Sequence, residues 1–185
     1  MKKVKCLYGD CIIYSKIDIK PLKIVPLEGA NKSLEKLFSY FLYLAPDIKS
    51  THSNKIVKDK HAEIFERMMF NRHFKYKKFC ASNTPIEDEL SKAYLNGDAI
   101  CLKCKRFVCK KRKVSKKDEI QETDLDCFLR HIRNSIAHGR VYLEHRNNKI
   151  VIIFEDENDS KKLSARIVCV KSDLEYWKSI LKKYA

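Results

Sequence analysis

The chain contains few of the features that mark nucleotide-hydrolysing loops, secretion signals and membrane spans. Only 4 of its 185 residues are glycine, and they form no glycine-rich phosphate loop, so nucleotide hydrolysis is not expected. No window approaches the roughly 20 apolar residues that cross a bilayer. Lys5 and Asp10 interrupt the apolar residues of the amino-terminal region before they reach signal-peptide length. These absences predict a cytoplasmic protein that does not bind membranes.

Metal-binding motifs are incomplete as well. Cys101 and Cys104, followed by Cys109, have the spacing of half a zinc site, and Cys80 or Cys127 could complete it, but a second close pair is lacking. In a cytoplasmic protein, the eight cysteines are expected to be reduced thiols, several of them in the core. Free thiols are the favoured interpretation, so neither a metal nor another cofactor is predicted.

Positive charge, in contrast, is in large excess. The chain has 39 Lys and Arg residues against 24 Asp and Glu residues, which gives a net charge of +15. This charge suits a polyanion or an acidic protein, and nucleic acid is the first candidate. A lysine-rich solvated surface is the alternative. The hydrophobic content of 44% is enough for one domain with a core, spanning residues 1–185.

The most basic segment is residues 103–117, in which nine of fifteen residues are Lys or Arg. This density predicts an exposed insert, either a loop or one solvated helix face. It is a candidate track for the RNA backbone, with Phe107 available for base stacking, although a solvated face or a docking surface for an acidic partner would have the same composition. The candidate RNA-binding residues of the insert are Lys105, Arg106, Lys110, Lys111, Arg112 and Lys113.

Hydrophobic spacing in the first half of the chain predicts helices after an extended start. Residues 1–26 alternate loosely and are predicted to be extended. Apolar stripes at helical spacing follow at residues 34–42 and 57–69. Thr84, Pro85 and Glu87 then have the order of a helix cap, a first helical residue and the end of a capping box. Three helices are therefore expected before the basic insert.

The second half is predicted to contain a fourth helix, a β-hairpin and a last helix. The fourth helix begins near Asp124, which can serve as its N-cap, and ends at Gly139, where glycine suits the left-handed conformation of a helix end. The period then changes to two, which indicates a hairpin from Val141 with a buried strand at residues 150–154 and another strand at 163–170. A capping box at Ser172 opens the last helix. We expect a mainly α fold with a small antiparallel sheet after the fourth helix.

Polar residues gather at the end of this fourth helix. In the stretch RHIRNSIAHG, residues 130–139, Asn134 and His138 are four residues apart and share a helix face, and Arg133 can lean over the same area. The apolar stripe of the helix faces the other way, so these side chains point away from the core. Cations also interact favourably with the carboxyl end of a helix dipole, which is the purely structural alternative.

This stretch resembles the motif of the HEPN superfamily (higher eukaryotes and prokaryotes nucleotide-binding domains), in which Arg, often followed by Asn, precedes His by a short spacer. Here Arg133 and His138 are separated by four residues, and Asn134 and Gly139 occupy the expected flanking positions. Residues 67–73 and 140–145 also begin with Arg and end with His but lack those flanking residues. The resemblance is good from residue 124 onwards, plausible for the earlier helices and absent from residues 1–26 and 103–117. It implies a HEPN-like helical bundle.

The resemblance implies a metal-independent endoribonuclease. Cleaving RNA without a metal needs a base for the ribose 2′-hydroxyl, an acid for the departing 5′-oxygen and a cation for the charge on phosphorus. His138 is the implied general acid or base, Arg133 is implied to bind the scissile phosphate, and Asn134 is implied to orient the histidine or the phosphate. The candidate flanking RNA contacts are Arg130, His131 and Arg140.

The resemblance also implies partners. Family members usually dimerise with their motifs facing each other, and one motif supplies only one histidine, so a homodimer with a composite cleft is expected. Family analogy further suggests a role in toxin–antitoxin systems or antiphage defence, with an antitoxin or other regulatory partner. Two alternatives to the nuclease remain. One is a HEPN module that binds RNA or a nucleotide without cutting it, and the other is an interaction protein whose basic insert docks an acidic partner.

Overall fold

The computed structural model describes residues 3–5, 12–14, 32–44, 56–96, 104–113, 122–146 and 148–184. The strands are β1 (Lys3–Lys5), β2 (Ile12–Tyr14), β3 (Tyr76–Cys80), β4 (Arg106–Lys110), β5 (Val141–Arg146), β6 (Lys149–Glu157) and β7 (Leu163–Val170). The helices are α1 (Lys32–Ser39), α2 (His61–Met69), α3 (Glu87–Lys92), α4 (Asp124–Ala137) and α5 (Lys171–Tyr184). A π-helical turn at Tyr40–Leu44 extends α1, and a 3-10 turn at Lys58–Lys60 precedes α2.

A five-stranded mixed sheet forms the centre of the fold. Its strand order is β3-β4-β7-β6-β5; β3 and β4 are parallel, and the other neighbours are antiparallel. β1 and β2 form a separate antiparallel pair. In the β5–β6 hairpin, Val141 pairs with Phe154 and Arg146 pairs with Lys149. The hairpin predicted directly after the fourth helix is therefore confirmed.

Both faces of the sheet are buried. On the main face, Ile152 and Phe154 of β6 pack with apolar side chains of α1, α2, α4 and α5. On the other face, Val151 and Ile153 pack with a smaller group that includes Leu90 of α3. Successive side chains of a strand point to opposite faces, so burial on both sides explains why β6 is a continuous apolar run instead of an alternating one.

The helices on the main face are those that the apolar stripes predicted. α1, α2, α4 and α5 each bury apolar side chains in the main core, so their prediction is confirmed. The predicted boundaries are less accurate. Val57 lies before α2 and is 64% exposed. The short helix α3 begins at Glu87, and its N-cap position, Ile86, makes no side-chain cap hydrogen bond, so the predicted cap at Thr84 is wrong.

The predicted fold class, a mainly α bundle with a small hairpin, is wrong. The five strands of the mixed sheet form a complete layer, and helices pack on both of its faces. β5, β6 and β7 follow the predicted alternation, but β3 and β4 extend the sheet beyond them. These two strands are short and carry lysines, and their pairing joins segments that are distant in sequence, so no local hydrophobic pattern indicates them.

The predicted exposure of the insert at residues 103–117 is also wrong for residues 106–109. β4 lies inside the sheet, between β3 and β7, and its residues 106–109 are buried. Arg106 tolerates full burial because its guanidinium donates to the backbone carbonyls of Ala93 at 2.6 Å and Cys104 at 3.2 Å. Phe107 is fully buried as well. The predicted RNA contact of Arg106 and base stacking on Phe107 are therefore wrong.

Some predictions fall partly outside the described residues. The described parts of residues 1–26 are the strands β1 and β2, in agreement with the extended prediction, whereas residues 15–26, Cys101 and residues 114–117 are not described. Within the described ranges, no helix is both long enough and apolar enough to cross a membrane. The organisation of residues 1–185 as one domain stays a prediction.

Candidate functional site

The predicted motif lies at the carboxyl end of α4. The backbone N–H of His138 donates to the carbonyl of Asn134 at 2.9 Å, so these residues are one helical turn apart. Gly139 then has a φ of 67°, which glycine adopts without strain, and the N–H of Arg140 donates to the carbonyl of Ser135 at 2.8 Å. The chain turns here and enters β5, as the sequence predicted.

The start of α4 is fixed by a different residue from the predicted one. Thr123, not Asp124, is the N-cap, and its side chain accepts a hydrogen bond from the backbone N–H of Asp126 at 3.1 Å. The Thr123 hydroxyl also lies 2.9 Å from Nδ1 of the buried His61 on α2. These contacts anchor the amino end of the motif helix to the helix packed beside it.

A buried carboxylate on β6 contacts two polar residues of α4. Asp156 is 3% exposed, and its Oδ2 accepts hydrogen bonds from Nδ1 of His131 at 2.7 Å and from Nδ2 of Asn134 at 3.1 Å. Ile152, Phe154 and Asp156 alternate along β6 toward the main face, so an acid occupies a position where an apolar residue would be expected. Asp156 therefore ties the middle of the motif helix to the sheet.

Both ring nitrogens of His131 face hydrogen-bond acceptors. Nδ1 meets the Asp156 carboxylate, and Nε2 lies 2.9 Å from the backbone carbonyl of Lys110. A carbonyl and a carboxylate only accept, so each hydrogen bond requires a proton on its ring nitrogen, and a neutral imidazole can make one of the two at a time. His131 is fully buried, so its predicted contact with RNA is wrong.

The charges around Asp156 stabilise its ionised form. Burial opposes ionisation of this carboxyl, but hydrogen bonds from His131 and Asn134 and the positive charge of Arg130, 3.9 Å away, hold the pKa of Asp156 below its ordinary value. The acid is therefore a buried carboxylate whose charge is balanced locally.

Arg130 is also committed to internal contacts. Its Nε and Nη2 donate to the two carboxylate oxygens of Glu122 at 2.6 and 2.9 Å, and Nη2 also donates to the carbonyl of Lys110 at 3.0 Å. Burial opposes ionisation of Glu122, but this two-pronged contact holds the pKa of Glu122 below its ordinary value. We interpret Arg130 as a structural residue.

Arg140 forms an ion pair that is more exposed than that of Arg130. Its Nη2 lies 2.8 Å from Oε2 of Glu157, and about a third of the Arg140 side chain is exposed, at 32%. An ion pair in this position is weak and can be exchanged for another anion. The predicted contact between Arg140 and RNA stays a prediction.

Arg133 and His138 differ from these neighbours. The Nε of Arg133 is buried and has no hydrogen-bond partner among the described residues. His138 is exposed, and no hydrogen bond or ion pair among the described residues involves its ring. A buried guanidinium N–H without an acceptor is costly, so this donor is not committed to a structural hydrogen bond within the described residues. No hydrogen bond joins the side chains of Arg133 and His138 in the described part of the chain, although both lie at the carboxyl end of α4.

The comparison with protein families agrees with the motif. The HEPN pEK499 p136 family model matches residues 6–185. The chain belongs to this HEPN family. No significantly similar relative was found among curated proteins or among solved structures. The predicted HEPN membership is confirmed, and the matched region contains both the motif helix and the five-stranded sheet.

The two other Arg–His pairs of this HEPN chain are placed differently. Arg67 on α2 forms an exposed ion pair with Glu63 at 2.9 Å, and His73 follows that helix with a φ of 54°. Arg140 and His145 span the start of β5 and a position within it. Among the three pairs, 133–138 is the one that lies on a single helix end.

The end of β4 runs beside the first half of the HEPN motif helix. Nζ of Lys111 lies 2.7 Å from a carboxylate oxygen of Asp124, and the backbone N–H of Arg112 donates to Glu122 at 2.8 Å. The side chains of Arg112 and Lys113 are exposed, and those of Lys110 and Lys111 are half-buried. The prediction that RNA contacts residues 110–113 therefore remains open, on a surface that leads along α4.

The other end of β4 is less suited to RNA. Lys105 is 19% exposed, and its Nζ lies 2.9 Å from the buried carboxylate of Asp173. Arg72 contacts the same carboxylate at 2.6 Å. This network ties β4 to the start of α5, and we interpret Lys105 as part of it.

The cysteines considered for zinc are buried. Cys80, Cys109 and Cys127 are free thiols. Burial raises the pKa of Cys109 and of Cys127, which disfavours the thiolate form that zinc requires. Within the described ranges, no group of three or more His, Cys, Asp or Glu side chains could hold a metal ion.

Sequence reasoning missed the two acids, Asp156 and Glu122, that contact polar residues of α4. Asp156 had a usable signal, because it follows Ile152 and Phe154 at alternate positions of a strand whose inward positions are otherwise apolar. An acid in such a position needs a buried partner. Glu122 gave no comparable signal, since it lies eight residues before Arg130 in a segment with many charges.

Proposed function

We propose that this HEPN protein is a metal-independent endoribonuclease that cleaves RNA through its own ribose 2′-hydroxyl. In the proposal His138 transfers the proton, Arg133 binds the scissile phosphate and Asn134 orients the reacting groups. Imidazole and guanidinium groups are suited to these tasks near neutral pH.

The observation that carries the proposal is the division of the basic side chains of residues 130–140 into paired and unpaired groups. Arg130, His131 and Arg140 contact carboxylates of the same chain. Within the part of the chain that the structure describes, Arg133 instead keeps a buried Nε without a partner, and His138 is exposed. The guanidinium of Arg133, whose side chain is half-buried, would pair with a phosphate oxygen in a charge-assisted hydrogen bond after the side chain turns toward the RNA. The two residues left available are the Arg and His of the HEPN motif.

The proposed reaction balances without any group from outside the RNA and the protein. A base takes the 2′-hydroxyl proton, and the 2′-oxygen forms a bond to the adjacent phosphorus. The bond from phosphorus to the 5′-oxygen breaks, and an acid protonates that oxygen. The products are a 2′,3′-cyclic phosphate end and a 5′-hydroxyl end. Arg133 stabilises the negative charge that builds on phosphorus during these steps.

A homodimer is part of the proposal. One motif supplies one histidine, whereas the reaction uses a base and an acid. His138 and the partner subunit's His138 would fill these two roles in one cleft. A role in toxin–antitoxin systems or antiphage defence, with an acidic antitoxin as partner, is proposed by family analogy alone.

Cleavage of RNA in excess chelator tests the enzyme. The wild-type protein is expected to cut, and His138→Ala is expected to lose at least about 100-fold in rate, the usual loss for a general acid or base. The matched control is His145→Ala, which removes an exposed histidine of β5 and is expected to cut like the wild type. Equal cleavage by wild type and His138→Ala, or none by wild type, contradicts the enzyme.

The chemical groups at the ends of the cleaved RNA test the mechanism. A substrate with 2′-deoxyribose at the cut position should resist, and mapped products should carry 2′,3′-cyclic phosphates. A wild-type protein that binds RNA without cutting it would support the non-catalytic HEPN module instead. Sedimentation of the active protein tests the dimer, which should have twice the 21.8 kDa mass of the chain.

A further inference from the structure

The carboxylate of Asp156 fixes the orientation of the Asn134 amide. A carboxylate is only an acceptor, so the 3.1 Å hydrogen bond to Asp156 Oδ2 comes from Nδ2 of Asn134. The carbonyl oxygen of the amide, Oδ1, is then turned away from Asp156. The atom of the Asn134 amide that faces other groups is therefore the acceptor Oδ1.

A donor lies one helical turn further on. His138 follows Asn134 by four residues, and its backbone N–H bonds to the Asn134 carbonyl at 2.9 Å. Side chains at this spacing are neighbours on a helix surface. The Nδ1–H of the imidazole is a donor of the kind that Asn134 Oδ1 would accept, and accepting it would leave Nε2 as the free basic nitrogen.

We infer that Asp156 is a positioning residue for His138 and acts through Asn134. The buried acid holds the amide of Asn134 with Oδ1 turned away from Asp156. The His138 ring makes no hydrogen bond among the described residues; in the proposal it turns to donate Nδ1–H to that oxygen, so that Nε2 is the nitrogen presented to RNA. The catalytic meaning of this inference rests on the proposed function. The chain of hydrogen bonds itself can be measured without any activity.

The groups around Asp156 balance its negative charge, so that its carboxylate does not repel RNA. His131 contacts the carboxylate at 2.7 Å, and Arg130 lies 3.9 Å away, so the negative charge is balanced inside the protein. The backbone of Asp156 is held as well, since the Ser164 hydroxyl donates to its carbonyl at 3.0 Å. The acid can therefore orient Asn134 while contributing little negative potential to the phosphate site.

A purely structural role for Asp156, as a tie between α4 and β6, makes a different prediction. Such a tie would lower stability when it is broken but would leave the imidazole tautomer of the folded protein unchanged. Asn134→Ala separates the two roles, because it removes the link to His138 and leaves the contact between Asp156 and His131 intact.

Nitrogen NMR of the neutral His138 imidazole is the first test. The wild type is expected to show one tautomer, with the proton on Nδ1. Asn134→Ala, and Asp156→Asn where it folds, are expected to show a mixture of tautomers. An identical tautomer population in wild type and Asn134→Ala would overturn the inference. The His138 tautomer can be measured even if the protein cuts no RNA. A protein that shows the expected tautomers but does not cut RNA would contradict the proposed function alone.

Kinetics of RNA cleavage are the second test. Asn134→Ala and Asp156→Asn are each expected to lower kcat roughly 10- to 100-fold while KM changes less than about twofold, and the double variant is expected to lose no more than Asn134→Ala alone. If the kcat loss of the double variant instead equalled the product of the two single losses, Asp156 would not act through Asn134. Asp173→Asn is the matched control, because Asp173 is a buried, ion-paired acid held by Arg72 and Lys105. It should lower stability and leave kcat unchanged.

Discussion

The guanidinium of Arg130 binds both carboxylate oxygens of Glu122, with 2.6 Å from Nε to Oε1 and 2.9 Å from Nη2 to Oε2. The same Nη2 donates to the backbone carbonyl of Lys110 at the end of β4. One side chain of the motif helix therefore joins three parts of the chain. Arg130 lies among basic residues, as an RNA contact would. Its hydrogen bonds to Glu122 and Lys110, however, are those of a structural residue.

Arg130→Ala is expected to lower the free energy of unfolding by about 2–4 kcal/mol, because it leaves a mostly buried carboxylate without its partner. Urea denaturation measures the loss. Arg67→Ala is the matched control, since Arg67 pairs with Glu63 at the surface with 59% of its side chain exposed, and a loss below about 1 kcal/mol is expected there. Unchanged stability together with weaker RNA binding would instead make Arg130 a substrate contact.

Arg133→Ala is expected to have the opposite profile. Its buried Nε has no partner in the described residues, so truncation should change the free energy of unfolding by less than about 1 kcal/mol. Cleavage should fall about 100-fold, as is typical when one donor to a transition-state oxygen is removed. Arg133→Lys should not restore it, because an ammonium cannot form the two-pronged contact. Thermal melts and single-turnover rates measure the two effects, and wild-type rates in Arg133→Ala would contradict the phosphate role.

Sequence patterns predicted those parts of the fold that depend on local periodicity. The apolar stripe of α4, the glycine that ends it and the alternation of the β5–β6 hairpin are all local, and each is confirmed. The HEPN motif was visible for the same reason, since Arg133 and His138 lie within one helix end. The family comparison confirms the HEPN membership over residues 6–185.

The missed parts depend on partners distant in sequence. β4 has only three uncharged residues, Phe107, Val108 and Cys109, between basic neighbours, and its burial depends on the neighbouring strands and on the carbonyls that satisfy Arg106. Charge density alone indicated an exposed loop. In the same way, whether a basic side chain is free or paired could not be read from the motif, because its acidic partner lies on another element.

Neutralising two exposed charges at the end of β4 tests the RNA track. Replacing Arg112 and Lys113 with Gln is expected to reduce the slope of log affinity against log salt by about 1.4, because each contact with single-stranded RNA contributes about 0.7. Fluorescence anisotropy over a salt series measures the slope. The matched control replaces the exposed Lys182 and Lys183 at the end of α5, where the slope should not change. If both double variants reduced the slope equally, the RNA would be attracted by the overall charge of the protein and not by a track at the end of β4.

Acid unfolding tests the two buried carboxylates beside α4. Asp156 and Glu122 both have pKa values lowered below their ordinary ones, since hydrogen bonds from His131 and Arg130, respectively, outweigh the opposing effect of burial. Groups with depressed folded pKa values stabilise the protein above their unfolded pKa values of about 4 and lose that contribution as the pH falls through the folded values. The free energy of unfolding should therefore fall steeply with pH below about 4 in the wild type, and less steeply in Glu122→Gln and Asp156→Asn. Urea unfolding at a series of pH values measures these slopes, and Glu63→Gln, which changes an exposed acid, should keep the wild-type slope. If the two buried variants also keep it, neither carboxylate is held ionised by its partners.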